Sequence, residues 1–373
     1  MISWTYADET GSPRGTGGAS EGREPARYAS SKIPSKRRAK DYADQLPKSS
    51  HINCFSGDTP VITSTGTSRI SDLTGDIHRL LTGDGKWHEA SVQSFGCQPL
   101  WRIRLSRSGI AKTIYAAEYN RWSLRTCTST GNRYWGKPPS KAITTNLRSG
   151  YRLTWGFPTA QADRFVDLGG IARGFVFGDG TRSKSSSIAC FCGDKDKALL
   201  SYFAGLGNLP RTYGNVTKIS GLPRDWKTSM PSCDEPASYL YGWLAGYFAA
   251  DGDVDKTGRP TLSSASRKTL EYVRVICNRS GIGTYGIREH VRSGFGRPPT
   301  PIYLLGLMRG DLNAEFFLIP THRERFEHGC NAVERRGWTV VSADPAEQVA
   351  EVYGVVVKGA HSFTLEDHIL TPT

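Results

Sequence analysis

Hydrophobic and polar positions divide the chain into regimes. Over residues 1 to about 50 no apolar periodicity is sustained, and Gly, Ser, Pro, Arg and Lys dominate. That composition predicts a disordered basic tail, because too little apolar surface is available to offset ordering entropy. Its run SKIPSKRRAK (Ser31–Lys40) is a solvated stretch able to touch phosphates. From Cys54 to about Leu153, stretches such as TPVIT, VQSFG, LWRIRL and RWSLRT alternate with turn residues. β-Branched and aromatic runs of that length predict strands, and TGDGKW (Thr82–Trp87) predicts a hairpin turn. From about 165 to 330, helical and strand patterns alternate. Within RKTLEYVRVICNRSG, Leu270, Val273 and Cys277 recur at helical spacing and predict a core-facing stripe. From Gly337 to Thr373, WTVVS, VYGVVV and HSFTL return to strand character. All-β character therefore brackets a mixed α/β middle.

The middle contains a repeat. GGIARGFVFGDGT (Gly169–Thr181) and YGWLAGYFAADGD (Tyr241–Asp253) place small residues four apart, at Gly170, Gly174 and Gly178 and at Gly242, Gly246 and Ala250. Asp179 and Asp251 follow. Residues four apart share one helical face. The same offset of 72 relates Lys195 to Arg267, Leu200 to Tyr272, and TYG at Thr212 to TYG at Thr284, which argues for a duplicated unit. A glycine inside a helix costs about 1 kcal/mol relative to alanine, so three at this spacing need a packing reason. Two such helices packed side by side supply it, and they bring Asp179 and Asp251 together at their C-terminal ends. Paired carboxylates repel unless cations neutralise them. Mg²⁺, an oxygen-seeking ion, suits such a pair together with waters and phosphate oxygens. Paired divalent ions serve in-line displacement at phosphorus.

Composition narrows the class. The chain has 373 residues, 38% hydrophobic and 22% charged, the balance of a globular protein with two to three domains. No apolar run reaches the length of a membrane span. Eight cysteines are scattered without a CxxC pair, which argues against a zinc site or a dense disulfide framework and for a reduced, cytoplasmic setting. Lys plus Arg is 48 against 35 for Asp plus Glu, a net charge of +13, which favours a polyanionic partner.

LAGYFAADG (Leu244–Gly252) resembles the signature of LAGLIDADG homing endonucleases, and ARGFVFGDG (Ala172–Gly180) resembles a weaker first copy, with Arg173 where a small residue is usual. The resemblance implies an α+β domain of two pseudo-symmetric αββαββα-like halves, motif helices at their interface, and antiparallel sheets that saddle the DNA major groove. It implies that the last acid of each motif, Asp179 and Asp251, binds Mg²⁺, with Gly178 and Ala250 beside them in the metal site. Lys184 and Lys256, just past each motif, are candidates for transition-state stabilisation. In IREHVR, alternation puts Arg288, His290 and Arg292 on one strand face able to reach DNA bases. Lys218, 72 residues before His290, is the matching candidate in the first copy.

CFSGDTPVIT, starting at Cys54, resembles the opening block of inteins and other Hint domains, and VYGVVVKGAHSFTLEDHILT (Val352–Thr371) resembles their closing blocks. A Hint domain split by a LAGLIDADG insertion is the layout of a large intein. Splicing needs a thiol attack on the preceding carbonyl, a polarising Thr-x-x-His, a cyclising Asn and an acyl acceptor. Here the expected Thr-x-x-His reads Ala117-Glu118-Tyr119-Asn120, and Asn120 does not titrate. The sequence stops at ILTPT without the expected Gly-Asn, and His361 and His368 read as fold residues. Cys54, Asn120 and His361 are thus vestiges of splicing.

The architecture expected is multidomain: a basic tail (1–50), an all-β Hint-like part (51–160), the LAGLIDADG domain (161–334) and a Hint-like closing part (335–373). The leading function is a Mg²⁺-dependent, site-specific double-strand DNA endonuclease. It acts as a monomer on a long target site, as part of a mobile element of a bacterial host or its phage. The alternative is an autoprocessing module that cleaves itself at Asn53–Cys54. A third reading is a nuclease-dead DNA-binding protein, against which the presence of both acids argues.

Overall fold

The computed structural model describes residues 52–125, 140–159, 166–294, 297–329 and 334–373, all of which belong to one unit, Lys48–Thr373. The predicted basic tail lies outside the described residues. The first strands are β1 (Cys54–Ser56), β2 (Pro60–Thr63), β3 (Gly66–Arg69), β4 (Ile77–Leu81), β5 (Trp87–Arg107), β6 (Ile110–Ala117), β7 (Arg121–Ser123) and β8 (Lys141–Ile143). The predicted TGDGKW turn joins β4 to β5. The Thr82 amide donates to the Lys86 carbonyl, and Gly85 takes φ +75°, where a Cβ would also strike Thr159 N at 2.7 Å. Much later in the chain come β17 (Thr339–Val357), β18 (Ser362–Leu365) and β19 (Ile369–Pro372). These pair with the early strands in a nine-stranded sheet ordered β17-β1-β6-β5-β4-β2-β18-β19, with β3 on β2. Both ends of the described chain therefore share one sheet, whose core gathers Phe55, Trp122, Trp338 and Phe363.

Between them lie two α/β modules with their own core. The first runs α1 (Leu168–Asp179), β9 (Gly180–Arg182), β10 (Ser187–Cys192), α2 (Gly193–Lys197), β11 (Arg211–Tyr213) and β12 (Val216–Leu222). The second runs α3 (Ala237–Asp251), β13 (Gly252–Val254), β14 (Pro260–Ser264), α4 (Arg267–Arg279), β15 (Arg288–Gly294), β16 (Arg297–Gly306) and α5 (Pro320–His328). Each module has a four-stranded antiparallel sheet, ordered β11-β12-β10-β9 and β13-β14-β16-β15. Helix α3 is buried from Leu240 to Ala249, as a helix apolar on every side must be. The predicted stripe of α4 is buried at Leu270, Val273 and Cys277, and Ser266 caps its N-terminus by accepting from Thr269 N.

The small-residue faces of α1 and α3 meet. A Cβ on Gly174 would lie 2.0 Å from the Trp243 carbonyl oxygen, and one on Gly246 would lie 2.1 Å from that of Ile171. Backbone thus packs on backbone, and only glycine permits it. Arg173, the departure from the motif, points off this seam: its guanidinium donates to Asp225 and to the Ser229 and Met230 carbonyls.

The offset of 72 holds for the helices and for β9 with β13, then drifts. Strand pairing runs Ala189↔Ile219 beside Gly180↔Ala189 in the first sheet, and Leu262↔Leu305 beside Gly252↔Leu262 in the second. Lys218 therefore corresponds to Leu304, not to His290. Arg211, which pairs Lys218, corresponds to Arg288, which pairs Leu304, and Tyr213 corresponds to His290. The two TYG segments also part: Thr212–Gly214 ends β11, whereas Thr284–Gly286 precedes β15. Loops of different length absorb the drift, a change that a fixed-offset comparison cannot follow. No helix among the described residues is long and apolar enough to cross a membrane.

Candidate active site

The seam delivers its two acids to one place. Asp179 and Asp251 are the last residues of α1 and α3. An Oδ of Asp251 lies 3.3 Å from where a Gly178 Cβ would stand, and the Ala250 methyl lies 2.4 Å from it. Burial of one flank, then repulsion from Asp251 and Asp196, pushes the Asp179 pKa up to about 7, against the pull of Lys195 and Lys227. The residue as a whole is exposed, so water screens part of this repulsion. Burial also raises Asp251, opposed by Lys227, a hydrogen bond from the Tyr247 hydroxyl, and Lys195. Two carboxylates that resist ionisation together are an incompletely compensated negative site.

Lys227, in a 3-10 turn after β12, supplies part of the compensation. Its Nζ donates to the Phe177 and Gly178 carbonyls at 2.8 and 2.7 Å. Those are last-turn carbonyls of α1, where a cation is favoured by the helix dipole. Burial lowers the Lys227 pKa, and the two acids pull it back up. Lys195, at the start of the first module's second helix, also acts on both acids and on His322, whose pKa burial and that lysine lower to about 4. The acids thus gather charge from two turns of the first module.

Other predicted residues distribute as follows. Lys184 and Lys256 are exposed in the turns after β9 and β13, and the cations coupled to the acids are Lys227 and Lys195 instead. Both follow their motifs closely in sequence, but the cation at the end of α1 comes from the 3-10 turn after β12. Gly178, expected in the metal site, gives its carbonyl to Lys227 Nζ. Arg288, His290 and Arg292 are all exposed and share one face of β15, opposite Leu304, Ile302 and Thr300. That face is the one away from the core, since the alternate β16 residue Leu305 is buried and Tyr303 packs against the core. Lys218 lies on the corresponding outer face of the first sheet, beside Arg211 and Cys190 and 5.8 Å from the Tyr213 ring.

Cys54 occupies a separate site. The residue is buried, and burial pushes its thiol pKa up to about 12. Asn120 clamps its backbone: Oδ1 accepts from Cys54 N at 2.8 Å and Nδ2 donates to Cys54 O at 2.7 Å. Asn53 is anchored by its side chain to the Arg121 backbone and to Thr371 Oγ1. His361 is exposed and uses its carbonyl to accept from Thr373 N. His368 is fully buried, stacked on Phe157, with Nδ1 3.1 Å from the Gly156 carbonyl; burial and then Arg274 and Arg107 lower its pKa to about 3.

The donor set at the acids suits a hard divalent cation, because two carboxylates with unrelieved repulsion are oxygen ligands that a cation would compensate. Among the described residues no group of three or more His, Cys, Asp or Glu side chains converges, so the remaining ligands would be waters, carbonyls and phosphate oxygens.

Residues 238–309 match the family model described as a LAGLIDADG-like domain. That span covers α3 through the end of β16, including Asp251 and the β15 face. Solved structures of a mini-intein, of a homing endonuclease and of another protein are similar to the chain. A mini-intein variant of Ssp DnaB is 10% identical, covering 86% of this chain and 98% of its own, with a TM-score of 0.29. I-DmoI in complex with DNA and manganese is 13% identical, covering 45% and 99%, with a TM-score of 0.26. Full-length WhiA from Thermatoga maritima is 11% identical, covering 45% and 61%, with a TM-score of 0.30. None of the curated proteins is a match.

Sequence reasoning missed Lys227, Lys195 and Tyr247. Tyr247 had a signal, since it stands four residues before Asp251 on one helical face. Lys195 carried only its alignment with Arg267. Lys227 had none, being 48 residues beyond Asp179 and placed by the return of β12.

Proposed function

We propose that this protein is a metal-dependent, site-specific double-strand DNA endonuclease of the LAGLIDADG kind, carried on an intein-derived Hint scaffold that has lost protein splicing. The observation that carries the reading is the meeting of Asp179 and Asp251 at the α1–α3 seam, coupled to Lys227. In this reading the two modules are pseudo-symmetric halves of one monomer, each facing one DNA strand. Asp179 and Asp251 would hold a divalent cation such as Mg²⁺, which when bound would supply Lewis-acid polarisation of a phosphate oxygen and a more acidic water. Lys227 ties down the end of α1 and keeps positive charge beside the developing negative charge at phosphorus. The Tyr247 hydroxyl orients the Asp251 carboxylate. The outer sheet faces, with Arg288, His290 and Arg292 in the second module and Arg211 and Lys218 in the first, hold the duplex.

The chemistry at Cys54 supports the loss of splicing. A thiol whose pKa is near 12 is almost entirely protonated at neutral pH, and the thiolate is the nucleophile. Asn120 stands where a titrating group would have to protonate the departing amine. The purified chain is expected to run at its full 41.0 kDa and to stay so with added thiol. Shortening to the size expected for cleavage at Asn53–Cys54 would favour the autoprocessing reading.

The deciding experiment incubates the purified chain with Mg²⁺ and a random-sequence duplex library and sequences the cut ends. Asp251→Asn should abolish cutting and keep DNA binding, while Cys54→Ala should leave cutting unchanged. Undiminished cutting by the Asp251 variant would place the metal elsewhere. Duplex binding with no cutting by the wild-type chain would favour a DNA-binding protein without nuclease activity.

A further inference from the structure

The nine-stranded sheet carries a cavity of about 430 Å³, lined by Arg79, Trp87, His88, Glu89 and Lys358. That volume lies within the range of small-ligand sites. Strand register puts the polar residues together. Arg79 of β4 pairs Glu89 of β5, and the Lys358 amide, just past β17, donates to the Glu89 carbonyl at 2.8 Å. The alternate residues Ala90 and Val357 are buried, so Arg79, Glu89 and Lys358 face outward and are exposed. At about 4.8 Å between strands, the stems of Arg79 and Lys358 stand roughly 10 Å apart, with Glu89 between them. Trp87 lies two residues along β5 from Glu89, about 7 Å away on the same face. Its ring is half-buried.

The hairpin that mounts Trp87 is pinned at several points. The Gly83 amide donates to Ser362 Oγ at 3.1 Å, and Thr159 donates from its amide to the Gly85 carbonyl and from its hydroxyl to that of Asp84. His88 closes the rim, with Nε2 3.0 Å from Asp84. The walls are therefore held before any ligand arrives, which lowers the entropy cost of binding.

The lining is chemically mixed. An indole face takes a flat heterocycle by stacking, whatever its identity. Lys358 Nζ lies 3.5 Å from Glu89, whereas Arg79 enters no ion pair among the described residues. An uncommitted guanidinium fork matches a phosphate with two parallel hydrogen bonds. Glu89 only accepts hydrogen bonds. A bare anion would leave the indole unused and meet repulsion from Glu89. A base with an exocyclic amine, as in cytosine, adenine or guanine, offers Glu89 a donor, and thymine has no such amine.

We infer that this cavity binds one unpaired nucleotide: the base stacks on Trp87 and donates its amine to Glu89, and the phosphate sits on Arg79. The base must be unpaired, because a duplex covers its faces. A free nucleotide and a nucleotide within a single strand share this chemistry. The inference does not rest on the nuclease reading.

The test is calorimetric titration of the full chain in chelator, so that no cutting intervenes. The probes are dCMP, dTMP, deoxycytidine, inorganic phosphate, and short single strands of oligodeoxycytidine and oligothymidine. Either dCMP should bind about tenfold more tightly than dTMP, deoxycytidine and phosphate, or the cytidine strand should exceed the thymidine strand by a similar factor. The first result identifies a free nucleotide as the ligand, and the second, seen without the first, a nucleotide within a strand. Arg79→Ala and Trp87→Ala should each lower the affinity for the preferred probe by about tenfold or more. Glu89→Ala should erase the preference for cytosine over thymine. Arg79 is exposed, so its variant keeps the test meaningful should Trp87→Ala fail to fold. Phosphate binding as tightly as dCMP, affinities unchanged in Arg79→Ala, no preference for cytosine, or no binding of any probe would each overturn the inference.

Discussion

A carboxylate at a helix end is ordinary; two of them across a glycine seam are not, and the difference shows in their protonation. Burial and Asp251 hold Asp179 at about 7 in the folded chain, above the ordinary value of 3.8. A raised folded pKa means that the folded state binds more protons than the unfolded state between those values. The stability contribution is therefore fully present below about pH 4 and is lost as pH rises through about 7. In chelator, Asp179→Asn is expected to raise the thermal midpoint relative to wild type at pH 8 and to change it little at pH 4. A difference independent of pH would show that the Asp179 carboxyl feels no such repulsion. At this scale the sequence was informative about the acids, because the motif repeats around them. It was silent about Lys227, whose approach to Phe177 and Gly178 depends on where a distant turn lands.

Among elements, the α1–α3 pair was the most legible, since small residues four apart can serve only a close helix contact. Replacing Gly174 by Ala gains about 1 kcal/mol in helix propensity. The added methyl would stand 2.0 Å from the Trp243 carbonyl oxygen, in a backbone contact with no side chain to yield. Overpacking of that kind costs about 1–3 kcal/mol or more, so the loss outweighs the gain. Gly174→Ala should lower the urea midpoint and, by spreading the acids, reduce cutting; a stabilised variant would mean that the helices are further apart than described here. The hairpins were harder to read. Alternation correctly set Arg288, His290 and Arg292 on one face of β15. The constant offset of 72 then misassigned Lys218, because loops between paired strands change length without disturbing the register within each sheet.

Across the whole molecule, the nine-stranded sheet and the second module meet over buried charge. Lys112 Nζ lies 2.7 Å from both Glu366 and Asp367, and Arg274 of α4 reaches the same two acids at 3.4 and 2.7 Å. Arg107 donates to the Asp367 carbonyl and lies over the Tyr285 and Trp338 rings. Burial opposes ionisation of Asp367, yet Arg274, Lys112 and Arg107 hold its pKa well below the usual carboxylate range. A depressed pKa contributes stability above about pH 4 that is lost as pH falls. Asp367→Asn leaves buried cations short of a partner and should cost about 3–5 kcal/mol in urea unfolding at pH 7, with a smaller difference at pH 3. An unchanged midpoint would mean that the cluster is open to water. None of this cluster was visible in the sequence, where its members are spread from Arg107 to Asp367.

The sequence by itself determined the order of strand-rich and helical regions, the seam, and the identity of the two acids, because each rests on local periodicity or on a repeated motif. Tertiary structure decided which cations stand beside those acids, which outward residues correspond between the modules, and how the closing strands pair with the opening ones. Those outcomes depend on loop lengths and on contacts between residues far apart in the chain, and no local pattern encodes where such segments meet in space.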